Sequence, residues 1–490
     1  MSKTNRARAL AIASFLVLAS ASAGPAAAET LADAIALAYQ TNPGLLAQRA
    51  AVRALDESYV QARAGYGVNA SVQANDTYEK VRQAGQIFAA TDPTVDLSIA
   101  ETLYTGGRLH AHLNAAEADI MAARETLRRF ELNLMQQVIA AYVGVRRDQA
   151  LLDINRDTVT VLVQQLADTQ ARYDVRENTA TDVAQSKARL ASARTQLASA
   201  EGQLAITREQ YLALVGQNPG DLAPEPPLEG LPATIDQAFD AGENNNPTLI
   251  GAEYTEQASR ARVTEARAQG APTVGVRVDI ARAPYLPYLP TPYNDSISVS
   301  GTVTQPLFAG GLIASGVRQA LQQNNRDRFS IDDAHRGMIQ SISEAWEQLT
   351  FSRQSLVTQE EEEKADEFAF YGDEEEAKAG LRSTIEILNA ALELQQAQLA
   401  VVRTRASEYA TRAQLLAAMG TLSPKLIAPG LDLYDPADNF KQVRNKGALP
   451  WEGPVRALDA IGGLPIERPK PAETPPGKPN MSTSLPPPPG

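Results

Sequence analysis

The sequence predicts a mixed, mainly α chain built from two copies of one unit, each ordered helix, strand, strand, long helix and return helix. Three observations carry this. The chain matches itself at an offset of 204 positions, so that LYTGG at 103–107 falls on LFAGG at 307–311. A run of period-two alternation precedes each Gly-Gly, as strands require. Heptad rows of apolar residues follow it, as long packed helices require. An offset of 204 residues is far longer than any solenoid repeat, so the unit is a duplicated half-protein.

The matches span both copies in order. Asn42-Pro43 falls on Asn246-Pro247, the ARA of 62–64 on that of 266–268, and Ala141-Tyr142 on Ala345-Trp346. Asp182-Val183 falls on Glu386-Ile387, and YLALVG at 211–216 on LLAAMG at 415–420.

The N-terminus comes first. Lys3, Arg6 and Arg8 precede a short apolar run and an AAA at 26–28, the pattern of a secretory signal peptide over 1–28 with the mature chain starting at Glu29. The first repeat is then 29–216 and the second 234–421, joined by a Pro-rich linker at 217–233. Each repeat opens with a helix of about 34 residues, at 31–64 and 235–268.

Strand regions follow at 66–104 and 270–308. Val68, Ala70, Val72 and Ala74 alternate with Asn69, Ser71, Gln73 and Asn75, and Val274, Val276, Val278 and Ile280 with Gly275, Arg277 and Asp279. Strands of about 10 residues with one apolar face suit a membrane barrel, and equally a half-buried soluble sheet. The loop 284–293 carries Tyr285, Tyr288 and Tyr293, as an interfacial aromatic girdle or a rigid external loop.

Coiled-coil helices cover 107–215 and 310–420. Leu109, Leu113, Ala116, Ile120, Ala123 and Leu127 form one seam. Leu190, Leu197, Leu204 and Tyr211 recur every seventh position, as do Leu394, Val401 and Leu415, with Glu408 breaking the second row. The first long helix, about 107–173, would extend on the order of 100 Å. The pattern dissolves after Pro424, leaving a C-terminal segment at 422–464. The tail 465–490 ends LPPPPG and reads as disordered, with a proline-recognition ligand as the alternative.

Composition excludes several function classes. A net charge of −13 without a basic stripe argues against nucleic acid as a partner. There is no cysteine for a thiolate nucleophile or metal site, and His110, His112 and His335 do not cluster. No phosphate-binding loop or nucleophile signature is present, so no cofactor and no enzyme activity are expected, and energy for any transport comes from a partner. No run of 18 apolar residues follows the leader, which leaves a β-barrel as the route into a membrane. Four strands cannot close one, so a barrel would be shared between copies.

The doubled order of helix, strand pair, L-[YF]-x-G-G, long helix and TATDV-like turn over roughly 30–424 resembles the outer-membrane efflux and secretion factor (TolC) family. The resemblance implies a homotrimer with a 12-stranded β-barrel among outer-membrane lipids, continuous with a 12-helix α-barrel tunnel in the periplasm. It implies an exit duct for efflux or type I secretion, partnered by a periplasmic adaptor (membrane fusion protein) and an inner-membrane ABC or RND-type pump. It also implies a periplasmic gate. Thr181 and Asp182 match the family's Thr-Asp pair, Arg382 its arginine, Glu386 its first acidic ring and Asn389 its second, without the charge. Ala377 replaces the family's turn tyrosine, and VRENT at 175–179 replaces a glycine-containing turn.

An Arg382–Asp182 pair would hold neighbouring helices together. The acidic runs 360–363 and 373–376 are solvated faces or a docking or cation-gathering rim. Gly106, Gly107, Gly310 and Gly311 are expected to be the hinges where barrel strand becomes tunnel helix. The alternative to a duct is an elongated coiled-coil tether of the envelope.

Overall fold

The computed structural model describes residues 28–285, 292–379, 381–461 and 485–486. The signal-peptide reading, Tyr288 and most of the Pro-rich tail lie outside them.

The helix expected at 31–64 is two helices. α1 (Leu31–Thr41) ends at Asn42, and α2 (Pro43–Ala64) begins at the next residue. Proline has no N–H to continue α1, but is well placed at the first position of α2. The Asn42 side chain caps α2 by accepting from the Leu45 N–H at 3.2 Å. The second repeat breaks at the same place, into α5 (Ile235–Asn245) and α6 (Pro247–Ala268), with Asn246 as cap.

The long helices are α3 (Arg108–Asp174) and α7 (Leu312–Lys378), each of 67 residues, and their returns are α4 (Ala180–Val215) and α8 (Thr384–Ala418). The break in the first helix gives Asn-Pro a second task. Asn42 Nδ2 donates to the carbonyl of Leu214 at 3.2 Å, so α4 ends where α2 begins. Asn246 Nδ2 does the same to Ala418 at 2.8 Å, joining α8 to α6. Two shorter helices stacked end to end thus match one long one. The result is a wall of four lanes in the order α4/α2, α3, α8/α6, α7.

The four strands are β1 (Asn69–Gln83), β2 (Gln86–Tyr104), β3 (Thr273–Pro284) and β4 (Tyr293–Thr304). They form one antiparallel sheet in the order β1-β2-β3-β4, with the β2–β3 pairing joining the repeats. β1 and β2 exceed the expected length because their hairpin continues beyond β3. Residues 86–94 of β2 pair with β1 alone, and a two-residue turn with Ala84 at φ 50° and Gly85 at φ 84° closes it.

Register sorts the faces. Val72, Leu97, Ile280 and Ile297 lie in one row across the sheet, and Ala70, Ile99, Val278 and Val299 in another. The alternate rows are polar, for example Ser71, Ser98, Asp279 and Ser298. Among the described residues no second layer covers the apolar rows, and Val72 and Ile297 are 70% and 74% exposed.

The main core is a belt around the middle of the helical wall. It gathers α1, α5, residues 127–152 of α3, residues 338–349 of α7 and the ends of α4 and α8, with Trp346, Tyr142 and Tyr211 fully buried. On α3 this lies about 30–65 Å from the sheet. The segment after Pro424 is not patternless, as its sequence suggested. It forms α9 (Pro424–Ile427), α10 (Ala437–Val443) and α11 (Glu452–Ile461), elements too short for a heptad pattern to reveal. The linker packs as well: Glu29 and Leu222 form a bridge, and Leu228 is buried.

Candidate functional site: helix tips and strand-to-helix joints

The two helical hairpins turn at the same end of the wall, roughly 100 Å along α3 from the sheet. The first turn passes through Arg176, which adopts φ 70°. A residue with a side chain occupies the left-handed region there, where the family resemblance anticipates glycine.

α4 then starts with a capping box. The Thr179 N–H and hydroxyl both donate to Asp182 Oδ2 at 2.8 Å, and the Asp182 N–H returns a bond to Thr179 Oγ1 at 3.3 Å. α8 repeats the motif 204 positions on. The Ser383 N–H and hydroxyl donate to Glu386 Oε2 at 2.8 and 2.7 Å. These bonds favour the charged forms, so Thr179 holds the Asp182 carboxyl below its ordinary value and Ser383 does the same for Glu386.

Arg382 does not meet Asp182 within the chain. Its Nε lies 2.7 Å from Glu376 Oε2 and 3.2 Å from Asp373 Oδ1, and Nη1 lies 3.4 Å from Glu386. Its pKa is raised, first by the bond to Glu376 and then by the charge of Asp373. Lys378 pairs with Glu374 and Glu375. The acidic run 373–376 is therefore matched by cations on its own hairpin. In the other run, Glu360 meets Arg405 at 2.7 Å.

Two bonds stitch the hairpin tips. Asn178 Nδ2 donates to Thr384 Oγ1, and Arg189 donates to Asn389 Oδ1, both at 3.3 Å. Leu388 packs with Leu162 and Leu190 between the hairpins, and Ala377 is buried in a small cluster with Phe370 and Ile387. Thr181 is exposed on the first turn of α4. The structure thus brings Thr181, Asp182, Arg382, Glu386 and Asn389 to one end. It adds Asn178, Thr384 and Arg189, which sequence reasoning missed, and it gives the acidic run 373–376 a specific partner, since Asp373 and Glu376 pair with Arg382 nine and six positions on.

At the opposite end of the long helices, all four hinge glycines adopt positive φ: 67° and 84° at Gly106 and Gly107, 59° and 86° at Gly310 and Gly311. Only glycine does so at little cost. The two joints differ in their surroundings. Asp459 of α11, fully buried, accepts from the Thr105 N–H at 2.6 Å, the Thr105 hydroxyl at 2.9 Å, the Gly107 N–H at 3.1 Å and the His110 N–H at 3.3 Å. Tyr66 donates to Asp459 Oδ2, the oxygen that also accepts from His110, at 3.0 Å, and burial raises the Tyr66 hydroxyl pKa well above its ordinary value. Arg63 anchors the same segment through Glu452 at 3.2 Å and the carbonyls of Arg444 and Lys446. The second joint has no such acid among the described residues; there Leu307 and Phe308 stand about 90% exposed.

Among the described residues no helix is long and apolar enough to cross a membrane, and no group of acidic or histidine side chains is placed to hold a metal.

Comparison with known proteins agrees with this geometry. The family described as outer membrane efflux protein matches residues 34–217 and again 240–421, one match per repeat. The outer membrane efflux protein BepC of Brucella suis is 28% identical over 86% of this chain and 92% of its own length. The alkaline protease secretion protein AprF of Pseudomonas aeruginosa is 22% identical over 56% of this chain and 58% of its own. The crystal structure of the outer membrane protein VceC of Vibrio cholerae superposes with a TM-score of 0.70 over 80% of this chain and 96% of that one, at 20% identity. With both repeats matched in full order, the chain belongs to the outer membrane efflux protein family.

Proposed function

We propose that the chain is one subunit of a trimeric exit duct, in which twelve strands close a barrel in the outer membrane and twelve helical lanes continue it across the periplasm. The observation that carries this is that sheet and wall are open on the same two sides. β1 and β4 are unpaired edges, α4/α2 and α7 are unpartnered outer lanes, and the apolar sheet face is uncovered. An open edge is not tolerated in lipid, and four strands are too few to close alone.

The 204-residue offset supplies the closing contact. α3 packs against α6 within the chain, so its counterpart α7 packs against α2 of the next copy, and β4 pairs with the next β1. Leu307 and Phe308 are covered at that seam. The apolar rows then face lipid, and the Ser98–Asp279–Ser298 row faces the lumen. A tether has no use for such a sheet.

At the far end, Asp182, Glu386, Thr181, Arg382 and Asn389 form the periplasmic gate. The two carboxylates are ionised at neutral pH, their caps extend that ionisation further into acid, and rings of them in a narrow bore favour cations. Arg382 braces its own hairpin through Asp373 and Glu376. The sequence carries no phosphate-binding loop, so an inner-membrane pump of ABC or RND type, reached through a periplasmic adaptor, supplies the energy. The cargo is a small molecule or a secreted protein, since efflux and protease-secretion proteins both stand among its relatives.

The test is reconstitution. Purified protein should migrate as a heat-sensitive trimer and form cation-preferring channels in planar bilayers. Arg382→Gln should raise conductance and Glu386→Gln should lower cation preference. A soluble monomer overturns the duct, and unchanged conductance and selectivity in both variants overturn the gate.

A further inference from the structure

Glu408 interrupts the heptad row of α8 where the first repeat has Leu204. It is 4% exposed and faces Arg353, 6% exposed, which stands where the first repeat has Gln149. Arg353 Nε donates to Glu408 Oε1 at 3.2 Å, and Arg412 Nε reaches the same oxygen at 2.6 Å. A buried ion pair stabilises little more than an apolar pair of the same volume, because desolvation offsets the attraction. Its presence in only one repeat calls for another task.

The guanidinium has one. Arg353 Nη1 donates to the backbone carbonyl of Pro486 at 2.7 Å, and the adjoining Leu485 packs against the main core. One residue along α8 from Glu408, the Tyr409 hydroxyl donates to the carbonyl of Pro226 in the linker at 2.7 Å. Neighbouring side chains on this part of the wall therefore read two proline carbonyls from different Pro-rich segments. The chemistry suits that ligand. A polyproline segment has carbonyls with no internal hydrogen bonds, and it is stiff before it docks.

We propose that α7 and α8 carry a built docking site for a proline-rich peptide, and that its occupant is the chain's own C-terminal Leu485-Pro486. Arg353 is the carbonyl anchor, held in place by Glu408, and Leu485 is the apolar anchor. The chain between Ile461 and Leu485 can span roughly 80 Å when extended, enough to return from the sheet end to the belt. The tail is thereby a strap on the tunnel wall and not a free ligand for other proteins.

The chain has no cysteine, so Ser484→Cys in the full-length protein gives a single site for a benzophenone maleimide. Irradiation of the detergent-solubilised protein should crosslink the tail to α7 near Arg353 and to α8 near Glu408, within one chain. Loss of a hydrogen bond to a charged group predicts a crosslink yield lower by roughly tenfold in Arg353→Gln. That variant also disturbs the buried pair, so Leu485→Asp, outside the helical wall, tests docking alone and should lower the yield as strongly. Crosslinks scattered along the chain, or a yield unaffected by Leu485→Asp, overturn the site. Crosslinks between chains overturn docking within the chain.

Discussion

Asp459→Ala tests how far the C-terminal segment controls the first strand-to-helix joint. The substitution removes a fully buried carboxylate and leaves four donors at the joint, with the Tyr66 hydroxyl, short of an acceptor. A buried donor left unpaired costs about 1–3 kcal/mol. Water entering the space vacated by the carboxylate can satisfy several of the five, so two unpaired groups is a fair working number. The negative charge facing the N-terminus of α3 contributes about another 0.5–1 kcal/mol. The sum is about 2.5–7 kcal/mol, most of it local, because the Arg63–Glu452 pair still holds α11. Native-state hydrogen exchange on the micelle-bound protein reads this directly. At 3 kcal/mol the amides of Thr105, Gly107 and His110 should exchange about 100-fold faster, while amides at 307–315 stay unchanged. Unchanged exchange at the first joint, or an equal change at both joints, would refute the assignment of Asp459 as its cap.

The glycines of the joints should differ on substitution. Gly310→Ala forces only an unfavourable φ and should cost about 1–2 kcal/mol. A Cβ at Gly106 would lie 2.2 Å from Cβ of Ala271, so Gly106→Ala should cost about 1–3 kcal/mol more, read as the difference in Tm between the two variants. Acid should loosen the hairpin tips. Asp182 and Glu386 have folded pKa values below the ordinary 3.8 and 4.5, so their caps contribute fully above those values and are lost as pH falls through the lower folded ones. Exchange at the Thr179 and Ser383 amides should accelerate in that acid range, and Asp182→Asn should abolish the pH dependence at Thr179. Arg176→Gly relieves a left-handed φ at an exposed turn and should stabilise by about 1 kcal/mol in chemical unfolding.

Much of the architecture was legible because its punctuation is local. Gly-Gly announced joints, since positive φ excludes other residues. Thr179 and Ser383 stand three residues before an acid, the usual signature of a capped helix start. What the sequence concealed is long-range. Asn42-Pro43 was legible as a match but not as a helix break, because the residues on both sides keep the same apolar period. Its bond to Leu214 spans 172 positions. Asp459, one acid in a short helix, reaches a joint some 350 positions upstream. At the tips, Arg382 meets Asp373 and Glu376 within the chain and not Asp182, because these two lie on its own hairpin and need little chain ordering to meet it. The β1–β2 extension was missed because its Thr77–Arg82 stretch mixes charged residues with Tyr78 and Val81 on both faces and shows no strand period.

The duplication acts as an internal control on these assignments. Where both repeats keep a feature, the feature belongs to the shared lane: Gly-Gly at the joint, Asn-Pro at the stacked helix ends, an acid three residues into the return helix. Where they differ, one half has acquired a local task. Belt positions 149 and 204 are Gln and Leu in the first repeat, while their counterparts are the ion pair Arg353–Glu408. The first repeat places its own buried polar link nearby, from the Thr207 hydroxyl to Asp148. The joints diverge in the same manner, since Asp459 seals the first and the second is left with Leu307 and Phe308 in the open. A chain that only needed to be a rod would have no reason to keep one joint capped and the other apolar. In the proposed trimer, a chain that adds a copy of itself at one edge needs an apolar joint at that edge and a finished one inside.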